Sequence, residues 1–231
     1  MNNKRLAELK QIVSSSYNLT AAHFDATRSK VAAPDFLWAV NQIGNDDQVF
    51  DAGCGNGRLL DYIKLSHDQY LGFDQNQSLL TYAREHHPDY KFIAGDLESL
   101  DFLPAESFSL IFCSAVISHI PGKEERDTVL RSFLRLSKPG ARLIISFWKL
   151  KGRRRQQFWL NCWKKCCGRY PYGWRDLLFP WKNSQGEEIN LRYYYAFTHR
   201  QFCRTLIRAG WEIEIKKDDR FNYWVVARKK A

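Results

Sequence analysis

The sequence predicts an α/β fold with a doubly wound, mostly parallel sheet of seven strands that ends in an antiparallel hairpin. From residue 48 onward, short apolar segments alternate with segments that are apolar at helical spacing. This alternation is typical of a parallel sheet with right-handed crossovers. A glycine-rich turn follows the first predicted strand, and a short turn joins the last two. We expect a single domain over residues 1–231, with an N-terminal helical cap at 1–45 and an insertion at 149–190.

Seven segments have the length and apolar content of strands, namely residues 48–51, 70–74, 90–94, 108–113, 143–147, 211–215 and 222–227. Helices are predicted at 57–65, 78–85, 124–136 and 199–209. In the third of these, Val129, Leu130, Phe133 and Leu134 follow helical spacing, and Lys138-Pro139-Gly140 is expected to stop it. Residues 211–215 alternate apolar and polar side chains, as an edge strand does.

The glycine-rich turn decides which kind of ligand is expected. Glycines stand at Gly53, Gly55 and Gly57, directly after Asp51, and Arg58 occupies the place of the third glycine of a dinucleotide turn. The resulting D-x-G-x-G-x-G pattern resembles motif I of the class I S-adenosylmethionine-dependent methyltransferases. That resemblance implies a Rossmann-like domain and S-adenosyl-L-methionine as the cofactor.

The candidate cofactor residues stand where strands end, because ligands of such sheets lie outside the carboxyl ends of the strands. Asp74 and the adjoining Gln75 are placed to hold the ribose hydroxyls, and Asp96 with the Leu97 amide to hold the adenine. Ser114 borders the methionine part. The amino-acid end is assigned to Asp51 and to the backbone amides of residues 53–57, including Gly53, Cys54 and Gly55.

Composition excludes several classes of protein. A hydrophobic content of 45% argues against disorder, and no apolar run approaches the ~18 residues that span a membrane. The N-terminus lacks a signal-peptide core, so a cytoplasmic protein with reduced cysteines is expected. The spacing of Cys162, Cys166 and Cys167 does not match the usual zinc patterns, and no metal is predicted.

The net charge of +10 is concentrated in one segment. The segment from Lys149 to Lys182 contains ten Lys and Arg residues and one acidic residue, Asp176. Its net charge is therefore +9, and that of the rest of the chain is +1. Aromatic side chains are interleaved with these charges. The combination is typical of a surface that binds nucleic acid, where cations meet phosphates and rings stack on unpaired bases. A solvated basic loop over an aromatic minicore explains the composition equally well.

Three further segments carry a narrower resemblance. Tyr17-Asn18 with Phe24 and Thr27-Arg28, the stretch from Ser114 to His119, and Arg192-Tyr193-Tyr194 resemble elements of the tRNA wobble-uridine (5-carboxymethyluridine) methyltransferase family. The similarity covers roughly residues 15–147 and 191–229. It implies methyl transfer to the carboxylate of a modified wobble uridine, tRNA as partner, and a small zinc-binding activator subunit.

A carboxylate is already anionic at neutral pH, so this reaction needs a cation that orients it rather than a base. Arg192 and Arg28 are the candidates, although Arg28 equally suits the carboxylate of the cofactor. His119 is expected to line the acceptor pocket and Tyr17 to cover the cofactor, while Tyr194 either stacks on the base or packs the insertion. Two alternatives stay open: a small-molecule methyltransferase whose insertion is a lid over the acceptor, and an inactive RNA-binding protein with this fold.

Overall fold

A computed structural model describes residues 2–28, 34–182 and 188–230, without the side chains of 18–28, 153–154, 181–182 and 189. Its main sheet has seven strands in the order β3-β2-β1-β4-β5-β9-β8. The strands are β1 Val49–Ala52, β2 Tyr70–Asp74, β3 Lys91–Ala94, β4 Phe108–Cys113, β5 Ser137–Trp148, β8 Trp211–Asp218 and β9 Asn222–Lys229. A separate hairpin pairs β6 Asp176–Lys182 with β7 Glu188–Tyr195.

The strand directions confirm the predicted doubly wound fold. Strands β1 to β5 pair in parallel, whereas β9 is antiparallel to both β5 and β8. The chain enters the sheet at β1, runs outward to β3, and returns to the other side of β1 with β4. The strand order therefore reverses between β1 and β4, and a ligand is expected at the carboxyl ends of these two strands.

The described helices are α1 Asn3–Arg28, α2 Pro34–Val40, α3 Gln77–His86, α4 Lys123–Leu136, α5 Arg153–Cys166 and α6 His199–Arg208. They cover both faces of the sheet. In β4, Ile111 packs with residues of α4 and α6, and the neighbouring Phe112 packs with residues of α2 and α3. This alternation follows from the two-residue period of a strand and explains why β4 is apolar on both faces from Leu110 to Cys113. Among the described residues, no helix is long and apolar enough to cross a membrane.

The predicted helix at 57–65 is wrong. The chain forms only a 3₁₀ turn at Arg58–Asp61 there, and a second one at His67–Gln69 leads into β2. The reason is tertiary, because α2 already covers this part of the sheet. Its Phe36 ring lies 5.9 Å from Phe112 of β4 and 5.7 Å from Tyr62. The Arg58 guanidinium packs 4.7 Å from the same ring, so the crossover passes around α2 instead of forming its own helix.

The insertion is folded, which the composition did not predict. Helix α5 and the β6–β7 hairpin occupy most of it, and Arg192 to Tyr194 belong to β7. Phe158 of α5 packs with the buried Leu177, Tyr194 and Ala196. A further difference concerns residues 138–140, which were expected to follow the end of α4 as a turn. Instead β5 begins immediately at Ser137 and includes them.

Candidate active site

A cavity opens at the carboxyl ends of the parallel strands, where the strand order predicts a ligand. Its empty space, counted together with the open solvent at its mouth, is about 1550 Å³. Ten of the predicted cofactor residues line it, namely Tyr17, Asp51, Gly53, Cys54, Gly55, Asp74, Gln75, Asp96, Leu97 and Ser114.

The glycine turn forms one wall of this cavity. Gly53 has φ +78°, and a Cβ atom added there would lie 2.3 Å from Val116 Cγ2, so only glycine fits. The amides of Gly53 and Cys54 donate to the Phe73 carbonyl oxygen at 2.7 and 3.1 Å. The expectation that the amides of this turn are directed at the ligand is therefore wrong for these two, which fasten the turn to β2. It is also wrong for Gly55 and Gly57, whose amides donate to Asp74 and to the Cys54 carbonyl oxygen.

Asp74 is held in place by the same turn. Its Oδ2 accepts the Gly55 amide and its Oδ1 the Asn76 amide, both at 2.9 Å. Burial raises the pKa of the Asp74 carboxyl, and the two amide bonds oppose that rise. A carboxylate fixed by two donors at a strand end retains lone pairs that can accept the hydroxyl hydrogens of a ribose.

Asp51 lies deeper in the same wall. The Tyr70 hydroxyl donates to Asp51 Oδ2 at 2.7 Å. Burial raises the pKa of Asp51 to about 7, and the nearby Asp74 charge adds to the rise while the Tyr70 bond opposes it. A buried carboxyl with this pKa suits a cationic ligand group, which would favour its ionised form. The α-ammonium of S-adenosylmethionine is such a group, so Asp51 and Asp74 together fit this cofactor.

The adenine end is predicted at the loop after β3. Asp96 Oδ1 accepts the Glu98 amide at 2.9 Å, and Asp96 and Leu97 both line the cavity. Across the opening, Lys10 of α1 donates to Glu98 Oε2 at 2.5 Å. Helix α1 is thus tied to the rim beside the predicted adenine site, and its Val13 and Tyr17 form part of the cavity wall.

A cation and an imidazole also line the cavity. The Arg192 guanidinium stacks 4.1 Å from the Trp148 ring, and its Nη2 donates to the Tyr17 hydroxyl at 3.2 Å. Burial lowers the pKa of Arg192 from its usual value, yet a guanidinium remains charged at neutral pH. His119 Nδ1 lies 2.8 Å from the Tyr193 carbonyl oxygen. Because a carbonyl only accepts, Nδ1 carries the proton there.

Tyr194 does not line the cavity with this group, so of its two predicted roles, stacking on the base or packing the insertion, the geometry supports packing. Its side chain is fully buried, its ring stacks on Trp148 with centroids 5.7 Å apart, and its hydroxyl donates to the Trp148 carbonyl oxygen. Tyr193 is also fully buried, with its hydroxyl on Asp176. Tyr194 therefore packs the insertion, and Tyr193 packs with Leu9 and Val13 of α1. Arg28 ends α1, but its side chain is outside the described part of the chain.

Sequence reasoning missed two parts of the site. Trp148, which carries Arg192, ends β5, and the rule that ligands lie at strand ends could have identified it. The other part is a buried polar group beside the cavity, where Asp35 Oδ2 accepts the Asn222 side-chain amide at 2.5 Å and the Trp224 indole at 3.3 Å. No local pattern could identify this group, because Asp35 lies on α2 and its two partners on β9.

Comparison with known proteins agrees with this geometry. Residues 50–145 match the family described as Methyltransferase domain. A tRNA (carboxymethyluridine(34)-5-O)-methyltransferase of Mus musculus is 31% identical over 160 residues, which are 68% of this chain and 23% of the mouse protein. The Saccharomyces cerevisiae protein with that activity in its name is 30% identical over 154 residues, 64% of this chain and 52% of its own. The chain thus matches about half or less of the length of these relatives.

Solved structures share the fold at low identity. A SAM-dependent methyltransferase of Methanosarcina mazei superimposes with a TM-score of 0.68 and 18% identity over 87% of this chain and 99% of its own. The Burkholderia thailandensis 1,6-didemethyltoxoflavin-N1-methyltransferase, solved with S-adenosylhomocysteine, gives 0.66 and 17% over 97% and 90%. A putative methyltransferase of Haloferax volcanii, solved with the activator Trm112, gives 0.64 and 13% over 95% and 98%.

The fold, the D-x-G-x-G-x-G turn and the matched domain define the class of this protein. It contains a class I S-adenosylmethionine-dependent methyltransferase domain, and S-adenosyl-L-methionine is its cofactor. Within that class, the chain is similar to the tRNA carboxymethyluridine methyltransferases.

Proposed function

We propose that this protein transfers a methyl group from S-adenosylmethionine to the carboxylate of a modified uridine at the wobble position of tRNA. The observation that carries the proposal is Arg192, a cation that lines the cavity and stacks on Trp148. A guanidinium there favours an anionic acceptor, and the names of the similar mouse and yeast proteins indicate which anion. Their substrate also favours the cytoplasm as the compartment.

The proposed chemistry asks for alignment rather than proton transfer. When bound, S-adenosylmethionine would supply a methyl group attached to a positively charged sulfur. Because an anionic oxygen can attack that methyl group and displace the sulfur directly, no base is needed. The protein must therefore orient the carboxylate and exclude water. Arg192 can orient it through two parallel hydrogen bonds. Its stacking on Trp148 and its bond to Tyr17 fix the guanidinium plane before the acceptor arrives.

His119 and Tyr17 complete the proposed acceptor pocket. The two rings meet edge to face, with centroids 5.7 Å apart, and His119 also meets Trp148 at 5.2 Å. With Nδ1 on the Tyr193 carbonyl, His119 directs Nε2 away from β7. We assign His119 the role of contacting the uracil or the carboxylate.

The cofactor residues keep their proposed roles within this reaction. Asp74 and Gln75 hold the ribose, Asp96 and Leu97 the adenine, and Ser114 the methionine chain, all of which line the cavity. Asp51 faces the ammonium, and Arg28 stays a candidate for the cofactor carboxylate. The Haloferax volcanii complex with Trm112 makes a similar activator subunit a partner to test in copurification.

A direct test exploits the lability of a methyl ester. The purified protein is incubated with methyl-labelled S-adenosylmethionine and tRNA from cells that lack this protein, with and without the activator subunit. The proposal expects labelled tRNA whose label is released as volatile methanol by mild alkali, and nucleoside mass spectrometry that identifies the methyl ester of carboxymethyluridine.

Three results would contradict the proposal. Alkali-stable label would mean that the methyl group lies on nitrogen, carbon or a ribose oxygen. No labelling of tRNA, combined with turnover of small carboxylic acids, would favour the small-molecule alternative. Absence of any S-adenosylmethionine affinity in calorimetry would favour the inactive RNA-binding protein.

A further inference from the structure

Helix α5 presents two tryptophans to solvent. The exposed fraction is 65% for Trp159 and 57% for Trp163, and Leu160 between them is 42% exposed. Because Trp159 and Trp163 are four residues apart, they lie on the same side of the helix. Among the tryptophans with described side chains, those that are exposed all lie in the insertion, the third being Trp174. We call the surface formed by Trp159, Leu160 and Trp163 the α5 face.

The remainder of α5 is anchored to the acceptor end of the cavity. Asn161 is buried, and Phe158 packs in a cluster with Leu177 and Tyr194. Tyr194 in turn stacks on Trp148, the ring that supports Arg192. The α5 face is therefore connected through packed side chains to the place where the acceptor is proposed to bind.

The charge around the α5 face identifies its partner as a polyanion. The helix belongs to the segment that carries +9, and Arg155 and Arg169 are exposed near its two ends. A surface that binds single-stranded nucleic acid has two components, namely cations that contact the phosphates and exposed rings that stack on the bases. Paired bases have their faces covered by stacking inside the duplex, so the rings need a partner with unpaired bases.

We infer that the α5 face stacks on unpaired bases of an RNA loop, while Arg155 and Arg169 contact its phosphates. This inference rests on the proposed function for the identity of the RNA, and it adds the surface that holds the loop next to the cavity. The two tryptophans supply stacking, and the insertion as a whole supplies the long-range attraction.

The test measures binding of an RNA stem-loop with an unpaired loop, and of the fully paired duplex of equal length, by fluorescence anisotropy of labelled RNA. Trp159→Ala and Trp163→Ala are each expected to weaken stem-loop binding about tenfold, as expected for the loss of one stacked base. Trp159→Phe retains a ring and is expected to preserve most of the affinity. Trp174→Ala removes an exposed tryptophan outside α5 and serves as the matched control with unchanged affinity.

The dependence of RNA affinity on salt concentration separates the contribution of charge from that of stacking. The tryptophan variants are expected to keep the slope of affinity against salt concentration, whereas Arg155→Gln and Arg169→Gln are each expected to reduce it by about 0.7, the value for one phosphate contact on a single strand. Circular dichroism melting shows whether each variant is folded. Because Trp159 and Trp163 are exposed, their replacement is expected to leave the melting temperature unchanged.

Three outcomes would overturn the inference. The first is equal affinity for duplex and stem-loop, and the second is unchanged stem-loop binding in the variant that lacks both Trp159 and Trp163. The third is that this double variant loses binding to anionic lipid vesicles and keeps its binding to RNA. A failure of the proposed reaction is distinguishable from all three, since binding is measured without cofactor. Loop binding without ester formation would contradict the proposed chemistry and leave the α5 face as an RNA surface.

Discussion

Asp51 makes stability depend on pH through a single buried carboxyl. Its pKa rises from 3.8 to about 7 on folding, so the folded protein keeps a proton that the unfolded chain has released between these values. The associated stability is fully present below the unfolded pKa and is lost as pH rises through the folded one. Asp51→Asn is expected to remove this loss, and to stabilise the protein at about pH 8 by about 2–4 kcal/mol.

Urea unfolding between about pH 5 and pH 8 measures this difference. The gap between the variant and the unsubstituted protein is expected to narrow steadily toward about pH 5, and it closes only below the unfolded pKa of 3.8, where the carboxyl is protonated in both states. Asp101, which is exposed, provides the control, since Asp101→Asn is expected to leave the pH profile unchanged. A constant offset between the Asp51→Asn variant and the protein at every pH would contradict the assignment.

A glycine is required at position 53 for two reasons, the closeness of Val116 and the positive φ angle of the backbone. One pair of variants can separate the two effects. Gly53→Ala is expected to destabilise the protein by about 2–4 kcal/mol, because the methyl group meets Val116 and the backbone has φ +78°. Adding Val116→Ala removes the steric clash and leaves the backbone restriction. The double variant is therefore expected to recover part of the stability, whereas no recovery would mean that Val116 is not the obstacle.

Arg192 carries the proposed specificity for an anion, and its replacement by lysine tests geometry rather than charge. Arg192→Lys is expected to lower kcat/KM for the RNA acceptor by about 10- to 100-fold, because an ammonium neither stacks on Trp148 as a plane nor binds a carboxylate through two parallel bonds. Calorimetry is expected to show unchanged cofactor affinity.

Arg175→Lys is the matched control for that substitution. Arg175 also belongs to the insertion, where it donates to the Ala196 carbonyl oxygen at 2.9 Å, and it does not line the cavity. Unchanged acceptor kinetics are expected for it. Equal losses in both variants would indicate general damage to the insertion.

Helix α1 is held at the rim of the cavity by an ion pair between Lys10 and Glu98. The ion pair of Lys10 with Glu98 is partly exposed, so it contributes only about 0.2–1 kcal/mol. Lys10→Ala is expected to speed cofactor dissociation about two- to fivefold, with little change in thermal stability. Stopped-flow fluorescence measures the rate. Lys123→Ala breaks an exposed ion pair with Asp127 away from the cavity and is expected to leave it unchanged.

The strands were predictable because most of their signals are local. β2 and β4 match their predicted bounds, since each is a short apolar segment bounded by polar residues or turns. The false helix at 57–65 shows the limit. Leu59 and Leu60 give an apolar pattern, but α2 covers the sheet there through Phe36, and no sequence pattern reports that contact. The β6–β7 hairpin was missed because its strands are rich in charged and aromatic residues that resembled a binding surface.

The site was predictable on its cofactor side for a related reason. Asp51, Asp74 and Ser114 each end or follow a parallel strand, and strand order alone brings these positions together. The acceptor side depends on contacts between distant segments. Tyr17 and Arg192 meet through a hydrogen bond across 175 positions. Tyr194 follows Arg192 closely in β7 and yet is buried, so proximity in sequence misled that prediction.

In the whole molecule, the segment that carries most of the net positive charge is different from the segments that provide most of the cofactor site. The segment from Lys149 to Lys182 carries +9, and the remaining chain, which provides most of the cofactor residues of the cavity, carries +1. The two ligands are therefore expected to respond differently to ionic strength. RNA binding releases counterions for each phosphate contacted, whereas a buried cofactor site is little screened.

Raising salt from about 50 to about 200 mM is expected to weaken tRNA binding by at least about tenfold, and to change cofactor affinity by less than about twofold. Calorimetry with S-adenosylmethionine and anisotropy with labelled tRNA measure the two affinities on one preparation. Neutralising Arg155 and Arg169 together is expected to reduce the salt response for tRNA alone. A salt response of undiminished slope in that variant would locate the phosphate contacts elsewhere. An equal response of the cofactor would contradict the separation of charge from cavity.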